Sequence, residues 1–450
     1  MTGQDLSAIV SELSATLGDR CSTRPGDLEI ASHDASSQPA SRPGAVVWPL
    51  TTDEVVLVVR ACARAGVPLT ARGAGSSLEG NPIPARGGIV LDCSRMTRVI
   101  GVRADDLQVD VEPGVVYATL NRILRPHGLF FPPSPGGSAD VATVGGMVAN
   151  NASGIYSVRY GGTRDHVRAA TVVTGAGDVL RLGNRARKSA SGYHLLGLLV
   201  GSEGTLGVMT ELTLALAGLP AERRRGGFAF PDAVSAARAT AEMSRHGLDV
   251  AAVEFLDAPT IAALNRFRGF GLREAPSLLV EAHGSRSGVD EVWGSVAEVA
   301  GGAGGTPIDL PDPWAVRELA TRAVEAQRPG AATVRSDLAI PIGALPALVG
   351  ACERIAAERS VVVHCFGHAG IGILHALILA DPSELPTAEA ARDELVETAI
   401  GLGGSCSGEH GMGLGNRRYA AREHGAALAL MQGLKGLFDP HGILNPGKMW

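Results

Sequence analysis

The sequence predicts an α+β protein built in two lobes, on three observations. Short apolar segments alternate with helix-spaced ones through the first half. A hairpin signature and a last apolar run close that half. The pattern then breaks at 218–225, where Pro220 and three consecutive Arg interrupt it, before helices and strands resume.

The elements follow in order. Ala45 to Pro49 reads as a strand, and Thr52 to Ala65 as a helix, with Val55, Val56, Val59 and Cys62 at helical spacing after a Thr-Asp-Glu start. Val67 to Thr70 and Gly88 to Asp92 are short strands, and Leu107 to Val111 alternates at period two. Val115 to His127 returns to helix. Ala169 to Val173 and Val179 to Leu182 flank Gly175-Ala-Gly-Asp178 as a hairpin, and Leu206 to Leu216 is a further strand. Beyond the break, strands are expected at 228–230, 253–256 and 277–282, with a helix at 233–246 and a Gly-rich turn at 301–305. Single helices are expected at 314–327 and 344–359, paired strands at 361–365 and 373–379, and a last helix at 426–437. The first residues, through Gly18, form an amphipathic helix pattern.

At 450 residues the chain has room for about three domain-sized units or two larger lobes. Such a length buries roughly three quarters of the unfolded surface, so no disulfide or metal staple is needed to fold. Apolar residues make up 45% and charged residues 19%, which excludes wholesale disorder. With 40 Lys+Arg against 46 Asp+Glu the net charge is −6, and without a basic stripe no nucleic-acid partner is expected. The six Cys form no CxxC pair, so a reducing, cytoplasmic location is expected. The N-terminal pattern lacks a basic n-region and a continuous apolar stretch. No apolar run reaches the ~18 residues of a membrane span.

Gly, 59 of 450, is about twice its average usage, so tight turns and close backbone approaches are expected. Three clusters stand out. Arg72-Gly-Ala-Gly-Ser-Ser77 follows a strand and offers bare backbone N–H groups with small hydroxyls, which a pyrophosphate can use; a plain strand-to-helix turn uses Gly as well. It is neither a dinucleotide fingerprint of the G-x-G-x-x-G type nor a P-loop, so NAD is not expected. The second cluster runs through Pro133-Ser-Pro-Gly-Gly-Ser138, Ala142-Thr-Val-Gly-Gly146 and Asn150-Asn-Ala-Ser-Gly154, too long to be a passive loop. The third is Gly201-Ser-Glu-Gly-Thr-Leu-Gly207.

Together, in this order and spacing, these segments resemble the vanillyl-alcohol oxidase / p-cresol methylhydroxylase flavoproteins, most closely the FAD-linked oxidase branch. The resemblance covers the chain from about Ala45 to its end. It implies a two-subdomain FAD-binding domain over residues 1–218, a substrate or cap domain over 219–405, and a C-terminal segment, 406–450, returning to the flavin. It implies FAD held by Arg72, Gly73, Ala74, Gly75, Ser76 and Ser77 around the pyrophosphate. Pro135, Ser138, Thr143, Gly145, Gly146, Asn150, Gly154, Glu203, Val208 and Asn445 would line the rest. Since Ser76 and Ser77 stand where some relatives attach the flavin, the FAD is expected to be noncovalent.

The second half carries Gly367-His-Ala-Gly-Ile-Gly-Ile-Leu-His375 and Ser407-Gly-Glu-His-Gly411. Two His and a Glu suit a divalent cation such as Zn²⁺; ordinary surface or capping histidines are the alternative. The segments resemble those of D-lactate and D-2-hydroxyglutarate dehydrogenases and the glycolate oxidase D subunit. That resemblance implies His368, His375 and Glu409 as metal ligands and His410 as the base for a substrate hydroxyl. Ile371 and Ile373 stand where the family motif has Asp and Asn, so the surroundings are less polar and a less polar substrate is expected. Trp314-Ala-Val-Arg-Glu318 and Val334-Arg-Ser-Asp337 also match family segments. Arg317, with Thr321 one helical turn on, is the first choice for a substrate carboxylate and Arg335 the second; surface ion pairs are the alternative for both Arg.

The implied activity is FAD-dependent oxidation of a D-2-hydroxyacid to the 2-oxoacid, metal-assisted, with electrons passed to a quinone, cytochrome or electron-transfer flavoprotein. A metal-independent oxidation of a bulkier apolar alcohol or hydroxyacid is the alternative. Two further classes stay open: a non-redox flavin enzyme of the alkyl-glycerone-phosphate synthase kind, and a flavin-binding partner subunit. A homodimer and peripheral membrane contact stay open too.

Overall fold

The computed structural model describes residues 3–310 and 312–450, so the first two residues of the N-terminal helical pattern lie outside the described residues. The chain divides into two compact units. The first comprises Met1–Ser153, Gly162–Leu219 and Glu409–Trp450, and the second Gly154–Gly161 with Pro220–Gly408.

The first unit holds two main sheets. In the four-stranded sheet, Ile89–Asp92 runs parallel to both Ala45–Val47 and Leu69–Arg72, and Cys21–Ser22 pairs antiparallel with Ala45–Val47 at the edge. Helix Thr52–Ala65 forms because its ends are capped and one stripe is apolar. Thr51 accepts from the Glu54 N–H at 3.2 Å, Gly66 closes the last turn at φ 61°, and Val55, Val58, Val59 and Cys62 are buried. The second sheet has five antiparallel strands in the order Val99–Arg103, Gln108–Val111, Val208–Ala215, Val167–Val173, Val179–Gly183. The C-terminal segment adds to the edge of the first sheet. Leu69 donates to Ile443 O and receives from the Asn445 N–H, both at 2.8 Å.

The second unit is a seven-stranded antiparallel sheet in the order 306–308, 222–229, 277–284, 250–256, 363–367, 373–380, 332–339. Helices Ala233–Arg245, Leu345–Arg359 and Leu385–Gly401 pack in series. Residues 154–161, expected inside the first domain, group with this unit. Tyr160 Oη lies 2.8 Å from His283 Nδ1, and Gly370 allows Val158 to approach so closely that a Cβ there would lie 3.0 Å from it.

Three sequence expectations are corrected. The three Arg expected to interrupt the pattern are instead part of strand Glu222–Ala229, where Arg225 Nε donates to Glu281 at 3.0 Å and Arg224 to Asp290 at 2.6 Å. The helix expected over 314–327 is two, Pro313–Glu318 and Ala320–Glu325, parted at Leu319 (φ −87°, ψ −7°), so Arg317 and Thr321 do not share one uninterrupted helix face. The turn expected at 301–305 begins inside helix Arg286–Gly302.

None of the six Cys is in a disulfide, and all are buried. Among the described residues no helix is long and apolar enough to cross a membrane.

One buried carboxyl makes the second unit sensitive to pH. Asp257 caps helix Ala258–Arg268, accepting from the Thr260 N–H at 2.8 Å and from the Cys365 N–H at 2.6 Å. Burial pushes its pKa up to about 7 despite those bonds. An unfolded Asp titrates near about 3.9, so its stabilisation is complete below that pH and is lost as pH rises through the folded value. Asp257→Asn is expected to lose less melting temperature than wild type between pH 5 and pH 8. Parallel curves for the two proteins would contradict this.

Candidate active site

In the first unit, strand Leu69–Arg72 delivers the chain into the Gly-rich turn at the mouth of a cleft. Arg72 is buried and folds back over its own turn, donating to His33 O at 2.8 Å. Only Gly at 75 (φ 71°) permits this, since a Cβ there would lie 2.0 Å from the guanidinium. A Cβ at Gly73 would lie 2.2 Å from Thr143 Oγ1, so the first and second Gly clusters press directly together. Thr143 caps helix Val144–Asn150, accepting from the Gly146 N–H at 3.4 Å.

Of the residues that the resemblance assigns to the cofactor, 72–77, Pro135, Ser138, Thr143, Gly145, Gly146, Asn150, Glu203 and Val208 line this cleft. Gly154 and Asn445 do not; Gly154 groups with the second unit. Asn445 stands behind the wall, where its Nδ2 donates to Asn81 O at 3.0 Å and Glu203 O at 2.7 Å. The lining also includes Asn81, Cys93 and Pro113, which no motif had marked. The cradle fits FAD: its Gly positions bare the backbone along two converging turns, and small hydroxyls stand beside them.

Glu409 and His410 line the same cleft. Their loop is held from several sides. Ser153 donates through N–H (3.2 Å) and Oγ (2.8 Å) to Glu409 Oε2, and Asn150 Nδ2 donates to His410 O at 3.1 Å. Glu203 accepts from the N–H groups of Met412 at 2.6 Å and Gly413 at 2.9 Å, while its own backbone sits at φ 53°. Burial pushes the Glu203 carboxyl up, against those bonds, the Asn81 side chain and Lys448. Glu203 thus shapes the loop that carries His410.

In the second unit, strands Val363–Gly367 and Ile373–Ala380 pair antiparallel, and the turn between them carries His368. The turn is tight enough that a Cβ at Gly372 (φ 73°) would lie 2.1 Å from Ile340 O. The rings of His368 and His375 meet edge to face with centroids 5.4 Å apart. Each has a carboxylate beside Nδ1: Glu254 Oε1 at 2.7 Å for His368, Asp337 Oδ1 at 3.3 Å for His375. Glu254 reaches Arg317 as well, accepting from Nε at 2.5 Å, and the guanidinium lies over the Phe366 ring at 4.9 Å. Burial pushes the Glu254 carboxyl up, but His368 and Arg317 override it and hold it below the usual range. Arg335 is turned to Glu325 and Thr321 is half-buried.

Sequence reasoning missed Glu254 and the place of Asp337. The signal for Glu254 is a single acid inside the apolar strand Val250–Leu256, every residue of which is buried. Such an acid needs partners.

Residues 219–449 match the family model described as FAD linked oxidases, C-terminal domain, and residues 43–183 match an FAD binding domain. The chain belongs to the FAD-linked oxidase family. This FAD-linked oxidase is 35% identical to the cytochrome D-lactate dehydrogenase of Arabidopsis thaliana mitochondria, over 98% of this chain and 80% of that one. It is 32% identical to glycolate oxidase subunit GlcD of Bacillus subtilis, over 94% and 92%. Its fold is that of p-cresol methylhydroxylase, with TM-score 0.82 and 18% identity over 100% of this chain and 97% of that one. The α+β architecture with an FAD-binding domain is therefore as expected, and the chain is an FAD-linked oxidoreductase.

Proposed function

We propose that this FAD-linked oxidase converts a D-2-hydroxyacid to the 2-oxoacid and passes the electrons to a cytochrome-type acceptor. The observation that carries the reading is Glu409 and His410 in the wall of the flavin cleft, with Ser153 fixing the carboxylate of Glu409. The names of the relatives, D-lactate dehydrogenase [cytochrome] and glycolate oxidase subunit, support the substrate class and the acceptor.

FAD, when bound, supplies the two-electron acceptor for the hydrogen on the substrate carbon. His410 takes the hydroxyl proton, the task of a general base in reach of the flavin cleft. Arg317 receives the carboxylate. Its Nε edge is occupied by Glu254, which leaves the Nη edge for a bidentate contact. The chemistry of His368 and His375 fits a divalent cation such as Zn²⁺, and the resemblance implies Glu409 as the further ligand. The first imidazole, His368, stands in the carboxylate–histidine arrangement that metal ligands use. The cation would lower the pKa of the substrate hydroxyl. Noncovalent attachment of FAD is supported at Cys93, which lines the cleft but whose thiol is pushed up by burial and stays protonated.

The apolar alternative has one observation in its favour. Ile373, His375 and Leu377 alternate onto one face of their strand, so the second imidazole has aliphatic neighbours on both sides. Within the hydroxyacids, this favours an apolar side chain over a second carboxylate.

Anaerobic D-2-hydroxyacid is expected to bleach the oxidised yellow protein. Prior EDTA treatment should slow the bleaching and added Zn²⁺ should restore it. Bleaching indifferent to EDTA, by a protein that binds no metal, would remove the metal from the reading. It would leave the apolar alternative.

A further inference from the structure

Glu254 belongs to no motif, yet it touches two residues with separate tasks. Its carboxylate is fully buried, with Oε2 on Arg317 Nε at 2.5 Å and Oε1 on His368 Nδ1 at 2.7 Å. We propose that Glu254 is the positioning residue of the hydroxyacid site, one carboxylate that aims both the carboxylate-binding guanidinium and the first metal-binding imidazole. This rests on the function proposed above.

The geometry argues for positioning in three ways. First, contact at His368 Nδ1 keeps the ring proton there, so Nε2 is the lone-pair nitrogen offered as a ligand. Second, contact at Arg317 Nε takes one edge of a planar fork, and the Phe366 ring under the guanidinium fixes the plane. The fork can then turn neither about its axis nor out of plane. Third, the two contacts use different oxygens of one rigid group on a central strand, so the spacing between guanidinium and imidazole is set by the carboxylate. Strand Val250–Leu256 lies between 277–284 and 363–367 in the sheet, and thus has neighbours on both sides. A bidentate substrate has its carboxylate and hydroxyl a fixed distance apart, and a shared anchor matches that demand. An ion pair serving only stability would need neither partner to be a ligand.

Glu254→Gln keeps the size of the side chain and removes its charge. In the FAD-loaded full chain it is expected to keep wild-type flavin content. Zn²⁺ affinity, titrated with the metal alone after EDTA treatment, should fall about 10- to 100-fold. KM for D-lactate should rise, and Glu254→Asp should recover part of both losses. The rise in KM should vanish when Glu254→Gln is added to Arg317→Ala, and the loss of Zn²⁺ affinity should vanish when it is added to His368→Ala, because a positioning residue has nothing left to aim. A merely structural role would give additive losses in both backgrounds and a fall in flavin content, and either result overturns the proposal. Wild-type Zn²⁺ affinity and KM in Glu254→Gln overturn it as well. A wild-type protein that neither binds Zn²⁺ nor is bleached by any 2-hydroxyacid would instead sink the functional reading, and this proposal with it.

Discussion

Replacing His410 by alanine is expected to leave FAD bound and to slow flavin reduction by substrate about 10²- to 10⁴-fold, the range for loss of a general base. The flavin stays because the cradle at 72–77 and 143–146 does not depend on that imidazole, and because Glu203 and Asn150 hold the loop through backbone groups. The rate falls because the hydroxyl proton then loses its imidazole acceptor while the hydrogen on carbon leaves. Rapid-mixing absorbance measures both quantities in one sample. Near-wild-type reduction would remove His410 from the chemistry. Loss of flavin would make its role structural.

The second large effect concerns Arg317. Two charge-assisted hydrogen bonds to a carboxylate are together worth about 3 kcal/mol or more, roughly two orders of magnitude in kcat/KM. Arg317→Ala is therefore expected to lower kcat/KM about 100-fold for a D-2-hydroxyacid and far less for the matching neutral alcohol. Steady-state assays with the two substrates measure the difference. Part of the loss will come through Glu254, which loses its guanidinium partner in the variant. Equal losses on acid and alcohol would make Arg317 structural. Arg335→Ala should cost less, because Arg335 is already turned to Glu325.

Much of the first unit was legible because its Gly residues mark places where backbone meets backbone or side chain at close range. A Cβ at Gly73 would meet Thr143 Oγ1 and Gly75 holds φ 71°, and so their cluster announced the cleft. Period-two segments located the antiparallel strands within a residue or two, as at 107–111 against Gln108–Val111. The second unit was harder. Three consecutive Arg look like a break, yet each finds a place when strand 222–229 pairs with 277–284 and brings Glu281 and Asp290 within reach. Helix Ala258–Arg268 went unforeseen although Asp257 and Pro259 announce it. Leu385–Gly401 was missed because alanine and acidic residues blur its apolar stripe. In the site, residues inside motifs were found and their supports were not. Glu254 and Asp337 act across strand pairings that join residues more than thirty positions apart, and no local spacing encodes such a contact. Asn445 shows the converse: a motif residue whose amide is spent on Asn81 and Glu203 behind the cleft wall.

In the proposed reaction a D-2-hydroxyacid gives up its hydrogen to the flavin held beside His410. The most direct measurement is the visible spectrum of the purified yellow protein, kept free of oxygen, on addition of D-lactate and, separately, L-lactate. The D-acid is expected to bleach the flavin and to yield about one 2-oxoacid per flavin, while the L-acid leaves the spectrum unchanged. A flavin that stays oxidised with D-lactate and with every D-2-hydroxyacid of larger side chain would contradict it.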